Sequence, residues 1–218
     1  MTNQPHLVYF ADPMCSWCWG FSPVVSAIRA EFGDQLPVRL VLGGLRPGTI
    51  TPMDEAAKAS TRSHWEHVHA ASGQRFDHKF FDRLNFIYDT EPACRAVVLA
   101  RRHSMNMALD MLAAIHQAFY AENQDVTTPD VLAYIFASLG GDEAMFRAEF
   151  SDAALLQETQ QDFYISQQTG VTGFPTLIAG SHADAPFDLV TQGFQTAAHI
   201  LPALKDWLRR QEKREGHE

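Results

Sequence analysis

The sequence predicts an α/β fold in the order β-α-β, a long helical block, then α-β-β-α. Three observations predict it. Residues 7–42 read as strand, helix, strand, a unit that joins a parallel strand pair by a right-handed crossover. Residues 53–150 carry apolar positions at helical spacing. Residues 176–191 hold two short apolar strands, followed by a helix with one apolar face.

Each element has a local cause. Leu7–Ala11 is apolar and aromatic, as a short buried strand is. From Ser16 to Phe32, the positions Phe21, Val24, Val25, Ile28 and Phe32 follow helical spacing. Pro23 removes one backbone donor there and is expected to kink the helix without ending it, while Gly33 supplies a stop. Val38–Leu42 is the second strand. Thr90-Glu91-Pro92 opens a helix with proline in its first turn, and Ala93, Ala96, Val97 and Ala100 form its core stripe. Met105, Leu109, Leu112, His116 and Phe119 make the next stripe. Thr128-Pro129 starts a third helix, with Val131, Leu132, Ile135, Phe136 and Leu139, stopped by Gly140. Helices over 143–150 and 152–168 follow, then the strands 176–179 and 187–191. Ile200, Leu201, Leu204, Trp207 and Leu208 share one face of the terminal helix, and residues 209–218 read as a solvated helix end and tail.

Composition narrows the function. With 46% hydrophobic and 20% charged residues, the 218-residue chain is globular and long enough to fold without a disulfide or metal staple. Its 17 basic against 26 acidic residues, a net charge of −9, argue against nucleic acid as a partner. No apolar run approaches the ~20 residues of a membrane span. The first residues lack a basic leader, and the apolar run at Leu7–Ala11 is short, so the expected compartment is the cytoplasm. Three cysteines are too few for a disulfide scaffold. In a reducing compartment a close pair points to catalysis or metal binding.

That pair is Cys15-Ser16-Trp17-Cys18, placed between a predicted strand and a predicted helix. A helix N-terminus offers unpaired N–H groups and about half a positive charge. A free cysteine of pKa ~8.5 is only about 3% thiolate at pH 7, and a CxxC at a helix start brings the first thiol to roughly 3.5–7. The chemistry this suggests is thiol–disulfide exchange, with Cys15 as nucleophile at the tip and Cys18 as resolving thiol one turn inside. The alternative is half of a zinc site, which needs two further ligands. No second CxxC exists. His64, His67 and His69 form a local cluster whose ordinary reading is a solvated helix face.

Four strings carry a resemblance: Asp12-Pro-Met-Cys-Ser-Trp-Cys-Trp-Gly-Phe-Ser-Pro23, Gly43-Gly-Leu-Arg-Pro-Gly48, Thr90-Glu-Pro-Ala-Cys-Arg-Ala96 and Gly170-Val-Thr-Gly-Phe-Pro-Thr176. With them the chain resembles the DsbA-like members of the thioredoxin superfamily, and among these the FrnE-like disulfide-isomerase branch. The resemblance implies a thioredoxin-like core from residues 1–52 and 151–218, interrupted by a helical insertion at 53–150. It implies a cis Pro175 facing the cysteine pair, with the backbone at Phe174 pairing with an extended substrate. By the residues alone, an ordinary trans proline at a strand start is the favoured reading. The partner would be a disulfide- or dithiol-containing protein or a small thiol. Glutathione is the candidate co-substrate, and no cofactor is expected to be bound permanently.

Other residues keep two readings. Asp12 is a proton acceptor for the cysteines or a turn residue. Trp17 tunes the pair or lines the substrate face, while Trp19 reads as core. Cys94 is a packed thiol or a second redox group. His116 reads as a satisfied core histidine. Two other functions stay open. One is a glutathione-dependent isomerase or transferase of the kappa and 2-hydroxychromene-2-carboxylate isomerase type, whose members generally carry serine where this chain has Cys15. The other is a non-catalytic zinc-binding module built from the cysteines and histidines.

Overall fold

The computed structural model describes residues 4–182 and 186–215. The expectations for residues 1–3 and 216–218 lie outside the described residues. Among the described residues there is one four-stranded sheet, in the order β2-β1-β3-β4. β1 (His6–Ala11) is central and buried along its whole length, which is why its sequence is a continuous apolar run. It pairs in parallel with β2 (Val38–Leu42) and antiparallel with β3 (Thr176–Gly180). β4 (Asp188–Gln192) pairs antiparallel with β3.

α1 (Ser16–Phe32) makes the crossover from β1 to β2 and runs unbroken through Pro23 to Gly33, whose φ of 49° ends it. α2 (Glu55–Ser72) is capped by the Asp54 carboxylate, which accepts from the Ala57 N–H at 2.7 Å. α3 (Glu91–His103), α4 (Met105–His116), α5 (Pro129–Ser138) and α6 (Glu143–Glu149) complete the helical block. α7 (Ala153–Gln168) packs on β2 and α3. α8 (Ala197–Glu215) packs on α1. Its buried residues Ile200, Leu204, Trp207 and Gln211 extend one helix face into the segment expected to be a solvated end. No helix among the described residues is long and apolar enough to cross a membrane.

The structure differs from the predicted stripe at one turn that matters for the site. A single helix through Phe119 is expected, but α4 ends at His116 and continues as a π-helical turn, Gln117–Ala121. The wider turn lets two consecutive aromatic residues both point inward. Phe119 and Tyr120 are each fully buried. Phe119 meets Phe80 and Phe86, while Tyr120 stacks on Trp19 and meets Trp65 edge-on.

The two edges of the sheet are treated differently. On the outer side of β2, the Leu40 N–H reaches Met105 Sδ at 3.2 Å and the Leu40 carbonyl accepts from Arg101 at 3.1 Å. The Leu42 N–H donates to Asp162 at 3.0 Å, and Arg101 grips the same carboxylate in a fork at 2.6 and 2.9 Å. Side chains from α3, α4 and α7 thus occupy the positions of a missing strand. β4, at the other edge, is largely exposed.

Candidate active site

Cys15 sits where β1 hands over to α1. Its N–H donates to the Asp12 carbonyl at 3.1 Å, which closes the turn through Pro13 and Met14. Its own backbone is extended (φ −94°, ψ 116°), and its carbonyl accepts the first helical bond, from Trp19 N–H at 3.0 Å. No acidic side chain lies in the first turn and no side chain caps it. The free N–H groups at the start of α1 therefore face no competing side-chain acceptor in that turn.

The distant proline reaches this point through β3. The Phe174–Pro175 peptide is cis, as the resemblance implies. The Phe174 carbonyl stands 3.6 Å from Cys15 Sγ, across a sequence separation of 159 residues. The Phe174 ring lies over Gly43, where a Cβ would come within 1.8 Å of it. Glycine is thus needed just after β2 for the proline loop to close on the cysteine. Trp17 is half-buried beside Phe194, with ring centroids 5.9 Å apart. Trp19 is buried, and its indole N–H donates to the Arg75 carbonyl at 3.0 Å.

Cys18 lies one turn inside and is fully buried, within reach of Cys15. All three cysteines are free thiols. Burial pushes the Cys18 thiol well above its ordinary value; the Cys15 sulfur and the Asp12 carboxylate add to the rise, and the Asp12 N–H opposes it.

Asp12 is fully buried below the pair. Its carboxylate accepts from the Met14 N–H at 2.8 Å and the Leu45 N–H at 2.7 Å, and the Cys94 thiol donates to it at 3.4 Å. Burial raises its pKa, and these hydrogen bonds and Thr90 pull it back. The carboxylate itself makes no hydrogen bond with either CxxC thiol and acts on Cys18 by its charge. Cys94, at the start of α3, is fully buried, and burial followed by the Asp12 charge pushes its thiol well above the ordinary range. His116 donates from Nε2 to the Asp12 carbonyl at 3.2 Å, and burial lowers its pKa to about 4. Tyr88 donates to the Met14 carbonyl at 2.7 Å. Sequence reasoning missed Tyr88 and Tyr120 here, because their partners lie 74 and 32 residues away.

The histidine cluster goes elsewhere. His64, His67 and His69 are exposed on α2, and His69 bonds the Gln74 carbonyl at 2.7 Å. Among the described residues no group of three or more metal-ligating side chains converges.

Comparison with known proteins adds a lineage to this geometry. The family model for the DSBA-like thioredoxin domain matches residues 6–195. A solved Nitrosomonas europaea protein, provisionally named a protein disulfide isomerase, is 37% identical and superposes with a TM-score of 0.85, covering 95% of this chain and 98% of its own. The cytosolic disulfide reductase DsbM of Pseudomonas aeruginosa is 26% identical with a TM-score of 0.71, covering 98% and 100%. It has also been solved with glutathione. Among curated proteins, the ClpXP adapter protein SpxH of Bacillus subtilis is 21% identical over 81% of this chain, and the match spans 64% of the length of SpxH.

Proposed function

The chain belongs to the DsbA-like thioredoxin family, and from that premise we propose that it is a cytoplasmic thiol:disulfide oxidoreductase or isomerase working through Cys15 and Cys18. One observation carries the reading. The Cys15 sulfur stands at an uncapped helix N-terminus, 3.6 Å from the carbonyl of the cis-proline loop, with Cys18 sealed one turn below.

The cycle follows from that placement. Cys15, as thiolate, attacks one sulfur of a substrate disulfide, and the other sulfur leaves as a thiolate. The Phe174–Pro175 loop holds the attached segment by main-chain pairing, the way an added strand is held, with Trp17 and Phe194 beside it. Cys18 then loses its proton and attacks Cys15. The Cys15–Cys18 disulfide forms and the substrate leaves as a second thiolate. Two equivalents of a small thiol such as glutathione return the pair to the dithiol and become the oxidised dimer. The glutathione complex of DsbM supports that choice of reductant.

The test is direct. Equilibration in glutathione buffers is expected to give one two-electron couple, assigned by mass to Cys15–Cys18. Cys18→Ser should accumulate mixed disulfides on Cys15. Absence of the intramolecular disulfide at every poise sinks the proposal. The name of SpxH favours a second reading, in which this surface holds a protein client without turning it over. Client binding that survives Cys15→Ser with no turnover in the parent would select it.

A further inference from the structure

Behind the cysteine pair, two buried polar atoms have no hydrogen-bond partner: the Tyr9 hydroxyl and His116 Nδ1. Tyr9 and His116 are each 1% exposed. They line the same small cavity between β1, α1 and α4, with a volume of about 20 Å³ and apolar walls from Val25, Leu109 and Leu112. One water needs about 10–15 Å³ and at least two polar partners, so the cavity has the size and the lining for one.

The chemistry of the two atoms is complementary to such a water. The Asp12 carbonyl can only accept, so His116 carries its proton on Nε2. With a pKa near 4, the ring is neutral at physiological pH and Nδ1 is a bare lone pair. It lacks a donor. On its other side, the Tyr9 hydroxyl lies against the Cys18 thiol: after burial, the Cys18 charge and a side-chain contact with Cys18 are among the causes that raise the tyrosine pKa.

We propose that one water bridges the Tyr9 hydroxyl and His116 Nδ1, and that Tyr9, this water and His116 relay the proton of Cys18. The proposal rests on Cys18 acting as the resolving thiol. Cys18 must shed a proton each time it attacks, and it is fully buried, while both Asp12 carboxylate oxygens are already engaged. In the resolving step the Cys18–Cys15 S–S bond forms and the Cys15–substrate S–S bond breaks. The substrate leaves with the electron pair as a thiolate. The Cys18 proton moves to the Tyr9 oxygen, the Tyr9 proton to the water, and a water proton to His116 Nδ1. Ser26, Arg29 and Leu109 line both this cavity and an open groove of about 880 Å³ between α1, β2 and α4, which gives the proton an exit to solvent. Re-reduction runs the relay backwards.

The titratable and charged groups around the relay are Cys15 just before α1, Cys18 within it, Asp12 beyond β1, and Tyr120 after α4 with Tyr88 behind it. Arg29, ion-paired with Asp110, stands at the mouth of the cavity.

The experiment loads Cys15 with a chromophoric aryl thiol as a mixed disulfide and follows release of that thiol from pH 5 to 9. Tyr9→Phe should slow release at least tenfold at pH 7, with the gap closing as pH rises and hydroxide takes the proton directly. Equal rates for parent and variant at every pH overturn the relay. No release from the parent would instead defeat the resolving role of Cys18, and the relay with it. Should Tyr9→Phe fail to fold, nitrogen NMR of His116 in the parent decides. An Nε2–H tautomer whose Nδ1 resonance is shifted by an accepted hydrogen bond is expected; an unbonded Nδ1 overturns the proposal.

Discussion

The mouth and the floor of the cysteine pair are built on opposite plans. At the mouth, Cys15 is 6% exposed and lies against the Phe174 carbonyl, beneath half-buried aromatic rings. At the floor, Asp12, Thr90, Cys94 and His116 are all buried and joined by hydrogen bonds, with Tyr88 against Met14. Most of the floor comes from residues 53–150. The helical block is therefore part of the candidate site and not an ornament on the core. The contrast fits the proposed chemistry, in which the attacking sulfur needs access and the resolving sulfur needs a sealed place whose protonation the protein controls.

That comparison can be broken at several points. The largest effect is expected at the mouth, where Cys15→Ser should reduce disulfide turnover to the uncatalysed rate while far-UV circular dichroism stays unchanged. On the floor, Asp12→Ala leaves the Met14 and Leu45 N–H groups without their acceptor. At about 1–3 kcal/mol for a buried orphan such as the Met14 N–H, the loss is about 2 kcal/mol in urea unfolding. A loss below about 1 kcal/mol would mean the floor is not a connected unit.

The pH dependence sharpens it further. The His116 pKa falls from 6.5 to about 4 on folding. A depressed histidine favours the neutral ring, so its contribution is fully present above about pH 6.5 and is lost as pH falls towards 4. The shift corresponds to about 3 kcal/mol. Chemical denaturation at pH 7 and pH 4 should show that loss in the parent, and His116→Gln should remove it. The smallest effect is at Cys94. Its buried thiol, held above the ordinary range, should resist iodoacetamide at pH 8 in the native protein at least tenfold better than in urea, as read by mass spectrometry. Equal labelling would open the floor.

What the sequence made legible was local or carried by resemblance. The strand before Cys15, the helix after it and the starts of α3 and α5 follow from periodicity and proline placement within a few residues. The proline loop was legible because Gly170–Thr176 resembles a known family; composition would not have shown a cis bond. The floor was not legible, since its contacts join Asp12 to Leu45, Cys94 and His116 across 33, 82 and 104 residues. His116 reads as a satisfied core residue, and half of it is: Nε2 has a partner and Nδ1 has none. Tyr9 carries no functional signal in the sequence, because an aromatic residue in a central strand is what packing alone predicts.

The outer edge of β2 has a consequence for anyone who would cut this protein down. A minimal core without residues 53–150 keeps Cys15 and Cys18, the sheet and the proline loop, yet it loses Arg101 and Met105, and with them the groups that close off Leu40. Asp162 would be left as a charge without its fork. An open, apolar strand edge of this kind recruits other strands. The trimmed chain is expected to sediment as aggregate and not to survive as a small redox domain.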